Sequence, residues 1–139
     1  MRRFTLLAAL AAAPLTLSGC QTAEFNQTAM DRQRPATEAE VNGVLKGMRD
    51  SLRDPYSVRD AEISNVFELK SVGSQPDQHV CVKGNTRNGF GAYTGRQTYL
   101  VYLRNGVAFG VNQDIFAQSL CNRVGGYRPF TEVRRLSEL

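Results

Sequence analysis

Apolar positions in the first half of the chain recur with a helical period. The positions that follow the i, i+3, i+4, i+7 spacing are Val41, Val44, Leu45, Met48 and Leu52. Thr37 and Glu40 form a capping box, because the hydroxyl and the carboxylate can satisfy free backbone N–H groups reciprocally. Arg49 and Arg53 lie in the last turn, where the helix dipole favours cations, and Pro55 ends the helix. The pattern predicts one amphipathic helix.

The apolar positions that follow fit strands better than a helix. Residues 58–72 mix the two periods, but their β-branched side chains favour a strand with a bulge near Asn65. Residues 71–78 contain glycine and proline and predict a turn. Residues 79–86 alternate and predict a second strand, which carries Cys81.

A hairpin gives the clearest strand signal. Thr98–Arg104 and Val107–Val111 flank Asn105-Gly106, and a type I′ turn favours this dipeptide because both of its central residues have positive φ. We therefore predict two antiparallel strands joined by a two-residue turn.

A second helix is predicted after the hairpin. Asp114 can cap a helix over residues 115–124, and Gly125-Gly126 mark its end. The side chains predicted to share one side of it are Ile115, Phe116, Ser119 and Leu120. The tail from Pro129 is interpreted as a short edge strand or a frayed end. The elements together predict an α+β fold, in which the second helix covers one face of an antiparallel sheet of about four strands.

The first twenty residues have the pattern of a secretory leader. A basic start, Met1–Arg3, precedes an apolar stretch, Phe4–Leu17, which is shorter than a membrane span. The residues Leu17-Ser18-Gly19-Cys20 resemble the lipobox of bacterial lipoproteins. A buried N-terminal helix is the alternative, but it would not require small residues followed by cysteine.

The lipobox resemblance implies that Cys20 becomes the acylated first residue of the mature chain, so that a covalent lipid anchors the protein to a membrane. Two or three acyl chains would hold firmly, at about 0.8 kcal/mol per buried methylene. Gln21 stands where an aspartate would retain a lipoprotein in the inner membrane, so the resemblance favours the outer membrane, facing the periplasm. The expected organisation is a signal peptide over 1–19, the acylated cysteine with a flexible tether over 20–35, and one small domain over 36–139.

The charge of the chain argues against a nucleic-acid partner. The formal net charge is +4, and removal of the leader with its two arginines leaves 15 − 13 = +2. No basic stripe survives this processing, and the expected compartment lies outside the cytoplasm.

Three cysteines occur in the chain. If Cys20 is lipidated, Cys81 and Cys121 are left to pair with each other in an oxidising periplasm. The alternative, a reactive or metal-binding thiol, finds no base or further ligand in the local sequence. We therefore predict a disulfide that links the C-terminal helix to the sheet.

The segment NGFGAYTGR, residues 88–96, is rich in glycine. Its spacing matches neither the dinucleotide motif G-x-G-x-x-G nor a Walker loop. The favoured interpretation is structural, namely a bulge, a corner or a close backbone approach. The alternative is recognition, because arginine and aromatic side chains bury area and offer planar donors to an anionic glycan, a lipid phosphate or a carboxylate. The candidate binding residues are Arg87, Phe90, Tyr93 and Arg96.

Two separate stretches resemble small bacterial envelope proteins of unknown activity. The first is Leu52-Arg53-Asp54-Pro55-Tyr56-Ser57. The second comprises Cys81, Asn85, Asn88, Gly91, Tyr93 and Gly95. The resemblance implies an envelope location but no activity and no catalytic residue.

Three functions remain open. We expect a non-enzymatic module that binds another envelope protein or peptidoglycan through the segment around Tyr93. A small-ligand or glycan binder that uses Arg87 and Arg96 is the alternative. A hydrolase is least supported, because His79 is the single histidine and the sequence has no cluster with metal-ligand spacing. No cofactor other than the lipid on Cys20 is expected.

Overall fold

The computed structural model describes residues 29–69 and 76–139, and over these residues the chain forms a five-stranded antiparallel sheet with two α-helices. The strands, β1 to β5 in chain order, are Arg59–Leu69, Asp77–Arg87, Tyr93–Arg104, Val107–Asn112 and Arg128–Pro129, and their order in the sheet is β4-β3-β2-β1-β5. The helices are α1, Glu38–Ser51, and α2, Ile115–Cys121; the short 3-10 helices are η1, Pro55–Ser57, and η2, Thr131–Ser137. The predicted α+β class is confirmed, with five strands rather than about four.

Helix α1 starts at the predicted capping box. The Thr37 hydroxyl accepts a hydrogen bond from the Glu40 N–H, and the Glu40 carboxylate accepts one from the Thr37 N–H at 2.8 Å. The guanidinium of Arg34 forms a bidentate pair with the same carboxylate, at 2.8 and 2.6 Å. The helix ends at Ser51, and the backbone of its C-cap residue Leu52 is extended.

The apolar side of α1 packs on one face of the sheet, called here the α1 face. The side chains buried in this cluster are Val41, Val44, Leu45, Met48, Ile63, Val66, Val80, Val82, Tyr99, Val101, Leu103, Phe130 and Leu136. The helix lies very close to the β3–β4 turn, since a Cβ atom at Gly43 would collide with the carbonyl oxygen of Gly106. The predicted helical stripe is confirmed.

Strand β1 contains the predicted bulge at Asn65. Ile63 pairs with Val82 and Val66 with Val80, so Ser64 and Asn65 together lie opposite Cys81. The extra residue allows Ile63 and Val66, three positions apart, to point to the same α1 face.

The Asn105-Gly106 turn is also confirmed. Both residues have positive φ, +51° and +75°, and they join β3 directly to β4. Strand β3 begins at Tyr93, five residues earlier than predicted, so the last four residues of the glycine-rich segment, 93–96, belong to the sheet.

The opposite face of the sheet, called here the α2 face, carries the second helix. Its buried cluster comprises Phe67, Cys81, Leu100, Ala117, Leu120, Cys121 and Val124. The predicted disulfide between Cys81 and Cys121 is confirmed, with a Cα–Cα distance of 5.6 Å, and it links α2 to β2. Asp114 caps the helix as predicted, accepting from the Ala117 N–H at 2.8 Å.

The predicted side of α2 was right for Leu120, which is buried, but wrong for Ile115, Phe116 and Ser119, which are exposed. The predicted length was also too great. Helix α2 ends at Cys121, and the side chains of Ile115 and Phe116 are 84% and 58% exposed. Because the disulfide turns Cys121 toward the sheet, the buried positions are those that share its side of the helix, Ala117 and Leu120.

Both ends of the described chain pack more closely than predicted. Residues 29–35 were assigned to the tether, but Ala29 is buried and the backbone of Arg34 pairs with Val66 beside the sheet edge. The domain therefore begins by residue 29, and the remaining tether, 21–28, lies outside the described residues. At the other end β5 is the predicted edge strand. It is followed by η2 rather than a frayed end, and η2 buries Leu136.

Candidate functional site

The stretch after α1 is bonded to the β2–β3 hairpin through Ser57. Its hydroxyl donates to the Asp54 carbonyl at 2.7 Å and accepts from the Arg87 N–H at 2.8 Å. Its carbonyl accepts a hydrogen bond from the Tyr93 hydroxyl at 2.9 Å. The stretch Leu52–Ser57 and the β2–β3 hairpin are therefore in direct contact.

Residues 88–92, called here the β2–β3 tip, form a turn organised by Asn88. The Asn88 side-chain oxygen accepts from the N–H groups of Phe90 and Ala92, at 2.9 and 3.1 Å. Gly91 has φ of +78°, a conformation that favours glycine. The side chain of Phe90 does not pack in the core; it is 98% exposed. The tip thus presents one bare aromatic ring on an ordered turn.

A bulge in β3 follows the tip, in agreement with the structural interpretation of the glycines. Asn85 pairs with Arg96 and Arg87 with Tyr93, so Thr94 and Gly95 together lie opposite Thr86. Gly95 has φ of +100°.

Two guanidinium groups lie against the ring of Tyr93. The Arg59 guanidinium carbon is 3.6 Å from the ring centroid and that of Arg87 is 5.3 Å away. Cation–π contacts of this kind hold the ring and the two charges together. Arg87 and Tyr93, predicted as candidate binding residues, are therefore neighbours, and Arg59 joins them.

Arg96 has different neighbours. Its guanidinium pairs with the Glu62 carboxylate at 3.1 Å and donates to the Asp60 carbonyl at 3.0 Å. Asp60 has φ of +51° and lies at a second bulge of β1, between the pairs Arg59–Asn85 and Glu62–Lys83. The charge of Arg96 is thus partly neutralised, whereas Arg87 has no ion pair with any acid in the described part of the chain.

A pocket of about 370 Å³ lies between the end of α1, the β2–β3 tip and the start of α2. Its lining residues are Ser51, Leu52, Arg53, Thr86, Arg87, Asn88, Thr94, Gln97, Tyr99 and Gln113. The lining contains two arginines and several amide and hydroxyl groups but no carboxylate. Within residues 29–69 and 76–139, neither Arg53 nor Arg87 has a carboxylate oxygen within 4.0 Å. The pocket therefore has a positive, hydrogen-bonding interior.

Sequence reasoning missed Arg53 as a site residue. It assigned Arg53 to the helix dipole, but the side chain lies beyond the C-cap Leu52, with its Nε 3.9 Å from where a Cβ of Gly89 would be. A signal was present, since Arg53 is the second residue of the stretch Leu52-Arg53-Asp54-Pro55-Tyr56-Ser57 that the sequence analysis singled out.

His79 lies away from this pocket, on the α2 face. Its ring stacks on Phe67 at 5.4 Å and meets the edge of Tyr102 at 5.0 Å. Burial lowers the pKa of His79, although its Nδ1 lies 2.9 Å from the Asp77 carbonyl oxygen, a contact that favours the protonated form. Its position among rings makes it part of the packing.

No group of three or more histidine, cysteine, aspartate or glutamate residues able to hold a metal ion occurs in the described part of the chain. Among the same residues there is no helix of the length and apolarity needed to cross a membrane.

Comparison of the chain with protein-family models, with curated proteins and with solved structures finds no match.

Proposed function

We propose that this protein is a lipid-anchored component of the bacterial envelope that binds a partner without catalysing a reaction. Cys20 carries the anchor and places the domain in the periplasm at the outer membrane. The domain binds an anionic group of its partner in the pocket between Arg53 and Arg87. The observation that carries the binding role is the lining of this pocket, with two arginines and no carboxylate.

The chemistry of the pocket favours a carboxylate as the bound group. A guanidinium donates two parallel hydrogen bonds to a carboxylate, and no acid among residues 29–69 and 76–139 competes for those of Arg53 or Arg87. The amides of Asn88 and Gln97 add neutral donors. Within the envelope, exposed carboxylates belong to peptidoglycan stem peptides and to acidic side chains of other proteins.

The anchoring role is supported by the leader and by the cysteines. The residues Leu17-Ser18-Gly19-Cys20 have the lipobox pattern, and disulfides such as Cys81–Cys121 persist in oxidising compartments. Cys20 is then the one cysteine outside the disulfide and is free to carry the lipid.

The non-enzymatic role is supported by the position of the titratable groups. His79 is packed between rings, and the Glu62 carboxylate is paired with Arg96. The pocket itself is lined by no acid, histidine or cysteine that could act as a base or nucleophile.

A binding assay with purified peptidoglycan sacculi tests the pocket. Arg53→Gln and Arg87→Gln should each lower retention about tenfold, since a hydrogen bond to a charged group is worth about 1.5–3 kcal/mol. Arg123→Gln is the matched control, because Arg123 is an exposed arginine of the α2 side and does not line the pocket. Retention should also fall as salt concentration rises.

In-cell photo-crosslinking separates a protein partner from the cell wall. The probe replaces Phe90, whose side chain contacts solvent, rather than Tyr93, whose hydroxyl bonds to Ser57. A discrete protein adduct that disappears with Arg53→Gln identifies a protein partner, and adducts that sediment with sacculi identify the wall. Absence of any adduct, together with retention unchanged in both arginine variants, would contradict the proposed binding role.

A further inference from the structure

Exposed apolar side chains are concentrated in one short part of the sequence. Seven large apolar side chains among the described residues are exposed, and four of them lie within residues 107–116. These four, called here the β4–α2 patch, are Val107, Phe109, Ile115 and Phe116, at 61%, 53%, 84% and 58% exposure. Val107 and Phe109 lie on β4, and Ile115 and Phe116 lie three and four residues beyond its end, at the start of α2. Exposed apolar side chains that adjoin one another mark surfaces that contact something other than water.

The patch belongs to the edge of the sheet and to its α2 face. Strand β4 is the last strand of the sheet and has β3 on one side alone. The ring of Phe109 contacts Tyr102 at 5.9 Å, and Tyr102 packs against the buried cluster of the α2 face. Ile115 and Phe116 begin the helix that covers this face.

The proposed lipid anchor is attached to the domain on the same face. Ala29 is buried and Met30 packs against the α2-face cluster. Nine peptide steps separate Cys20 from Ala29, so whatever their conformation the lipid lies within about 30 Å of Ala29. A domain of this size is itself about 35 Å across. The anchor therefore keeps the α2 face within one domain diameter of the bilayer.

We propose that the β4–α2 patch rests on the membrane that holds the anchor, with its apolar side chains in the interfacial region of the lipid. This inference rests on the proposed function, because it requires the lipid on Cys20. A few apolar side chains bind a bilayer weakly on their own, but a tether gives them a high effective concentration at the surface.

The charge beside the patch does not oppose contact with an anionic lipid surface. The Arg104 guanidinium lies 4.9 Å from the Phe109 ring centroid, and its charge is offset by the Asp77 carboxylate at 2.8 Å. From Thr98 to Tyr127 the chain has two arginines, Arg104 and Arg123, and one acid, Asp114. The anchor, and not the charge, is therefore what favours the membrane as the occupant.

Tryptophan fluorescence tests the proposal without background, because the chain contains no tryptophan. Phe109→Trp and Phe116→Trp are made singly in the full chain with its leader, and the acylated protein is purified from membranes. Tyr56→Trp is the control, since Tyr56 is an exposed aromatic residue of η1. Each protein is reconstituted into vesicles of phosphatidylethanolamine and phosphatidylglycerol with and without brominated acyl chains.

Bromolipid should quench the tryptophan several-fold more strongly at positions 109 and 116 than at position 56. Equal quenching at all three positions, with Cys20 shown by mass spectrometry to be acylated, would overturn the membrane contact and leave the anchor intact. In detergent without vesicles, burial of the tryptophan at position 109 that increases with protein concentration would show that a second copy of the chain covers the patch. That result would overturn the proposed membrane contact. An unmodified Cys20 would instead contradict the proposed function.

Discussion

The two faces of the sheet are covered in different ways. On the α1 face, a helix of 14 residues with a capping box buries a continuous apolar stripe. On the α2 face, a helix of seven residues buries the side chains of Ala117, Leu120 and Cys121 and is joined to β2 by a disulfide. An isolated helix shorter than about 12 residues is marginal in water. On the second face the covalent bond thus adds to a smaller apolar cluster, whereas on the first face apolar burial alone holds the helix.

The difference also explains where apolar surface stays exposed. Helix α1 extends over β4 and the β3–β4 turn, so on its face the edge strand is covered. Helix α2 is too short to cover both β2 and the edge, and Val107, Phe109 and Phe116 remain open to solvent. A short stapled helix leaves room for a contact surface, whereas a long packed helix does not.

Removing the disulfide should produce the largest effect and should act mainly on the α2 face. Cys81→Ala with Cys121→Ala is expected to lower the free energy of unfolding by about 4 kcal/mol, as the loop-entropy relation gives for a separation of 40 residues. Urea unfolding measures the loss. Hydrogen exchange should show that α2 amides lose protection beyond the global change, and an equal loss in α1 would contradict the comparison.

The second largest loss of stability should come from truncating one core leucine on each face. Leu45→Ala and Leu120→Ala are each expected to lower the free energy of unfolding by about 3 kcal/mol, because both side chains are fully buried. Without the disulfide, the effect of Leu120→Ala should shrink, since α2 is already loosened, while that of Leu45→Ala should not. Double-mutant cycles measure the coupling between each leucine and the disulfide. If both leucine substitutions were additive with loss of the disulfide, the proposed difference between the two faces would be contradicted.

Adding one methyl group at a glycine should distinguish the close approach of α1 from the looser α2 side. Gly43→Ala is expected to destabilise the protein by about 2 kcal/mol, because the new Cβ would collide with the Gly106 carbonyl. Gly125→Ala, after α2, is the matched control; its nearest neighbour would be the Gln33 oxygen at 3.7 Å, so little change is expected. Thermal unfolding of the two variants measures their stability. A larger loss of stability for Gly125→Ala than for Gly43→Ala would contradict the expected difference.

The smallest effect concerns the pH dependence of the α1 cap. Hydrogen bonds from Arg34 and then Thr37 lower the pKa of Glu40 from 4.5 to about 2. Because the folded-state pKa is the lower one, this stabilisation is present above pH 4.5 and is lost as pH falls toward about 2. Glu40→Gln should remove about 1 kcal/mol at neutral pH and flatten the fall in stability over that range. Urea unfolding at a series of pH values checks it.

Asp114→Asn provides the α2-face control for this experiment. The Ala117 N–H and the Asn112 amide lower the pKa of Asp114, but the carboxylate is fully exposed. Its replacement should change the pH dependence less than Glu40→Gln does. A larger change at Asp114 would show that the α2 cap, rather than the α1 cap, controls stability in acid.

Local signals predicted much of the fold. The capping box at Thr37, the Asn105-Gly106 turn and the Asp114 cap each depend on residues within a few positions of one another, and all three are present. The side of α2 was mispredicted because two helical turns fit more than one apolar stripe equally well. The disulfide, a contact between residues 40 apart, selects the stripe that contains Ala117 and Leu120.

The candidate site was also predicted only in part, because local sequence identifies residues that are close along the chain but not contacts between distant segments. Arg87 and Tyr93 were identified because they flank the β2–β3 tip in the sequence, and they are neighbours in the fold. Arg53 was not identified as a site residue. It lines the pocket because Ser57 bonds to the hairpin, and this contact joins residues that are distant in the sequence.

The sequence by itself determined the helix caps and the hairpin turn, since a capping box, a capping aspartate and a turn dipeptide are read from residues a few positions apart. The tertiary structure alone decided which side of α2 meets the sheet, where the domain begins, and that Arg53 and Arg87 share a pocket without a carboxylate. Each of these depends on pairing between distant segments, and the free energy of such pairing comes from burial and geometry that become available only when the sheet has assembled.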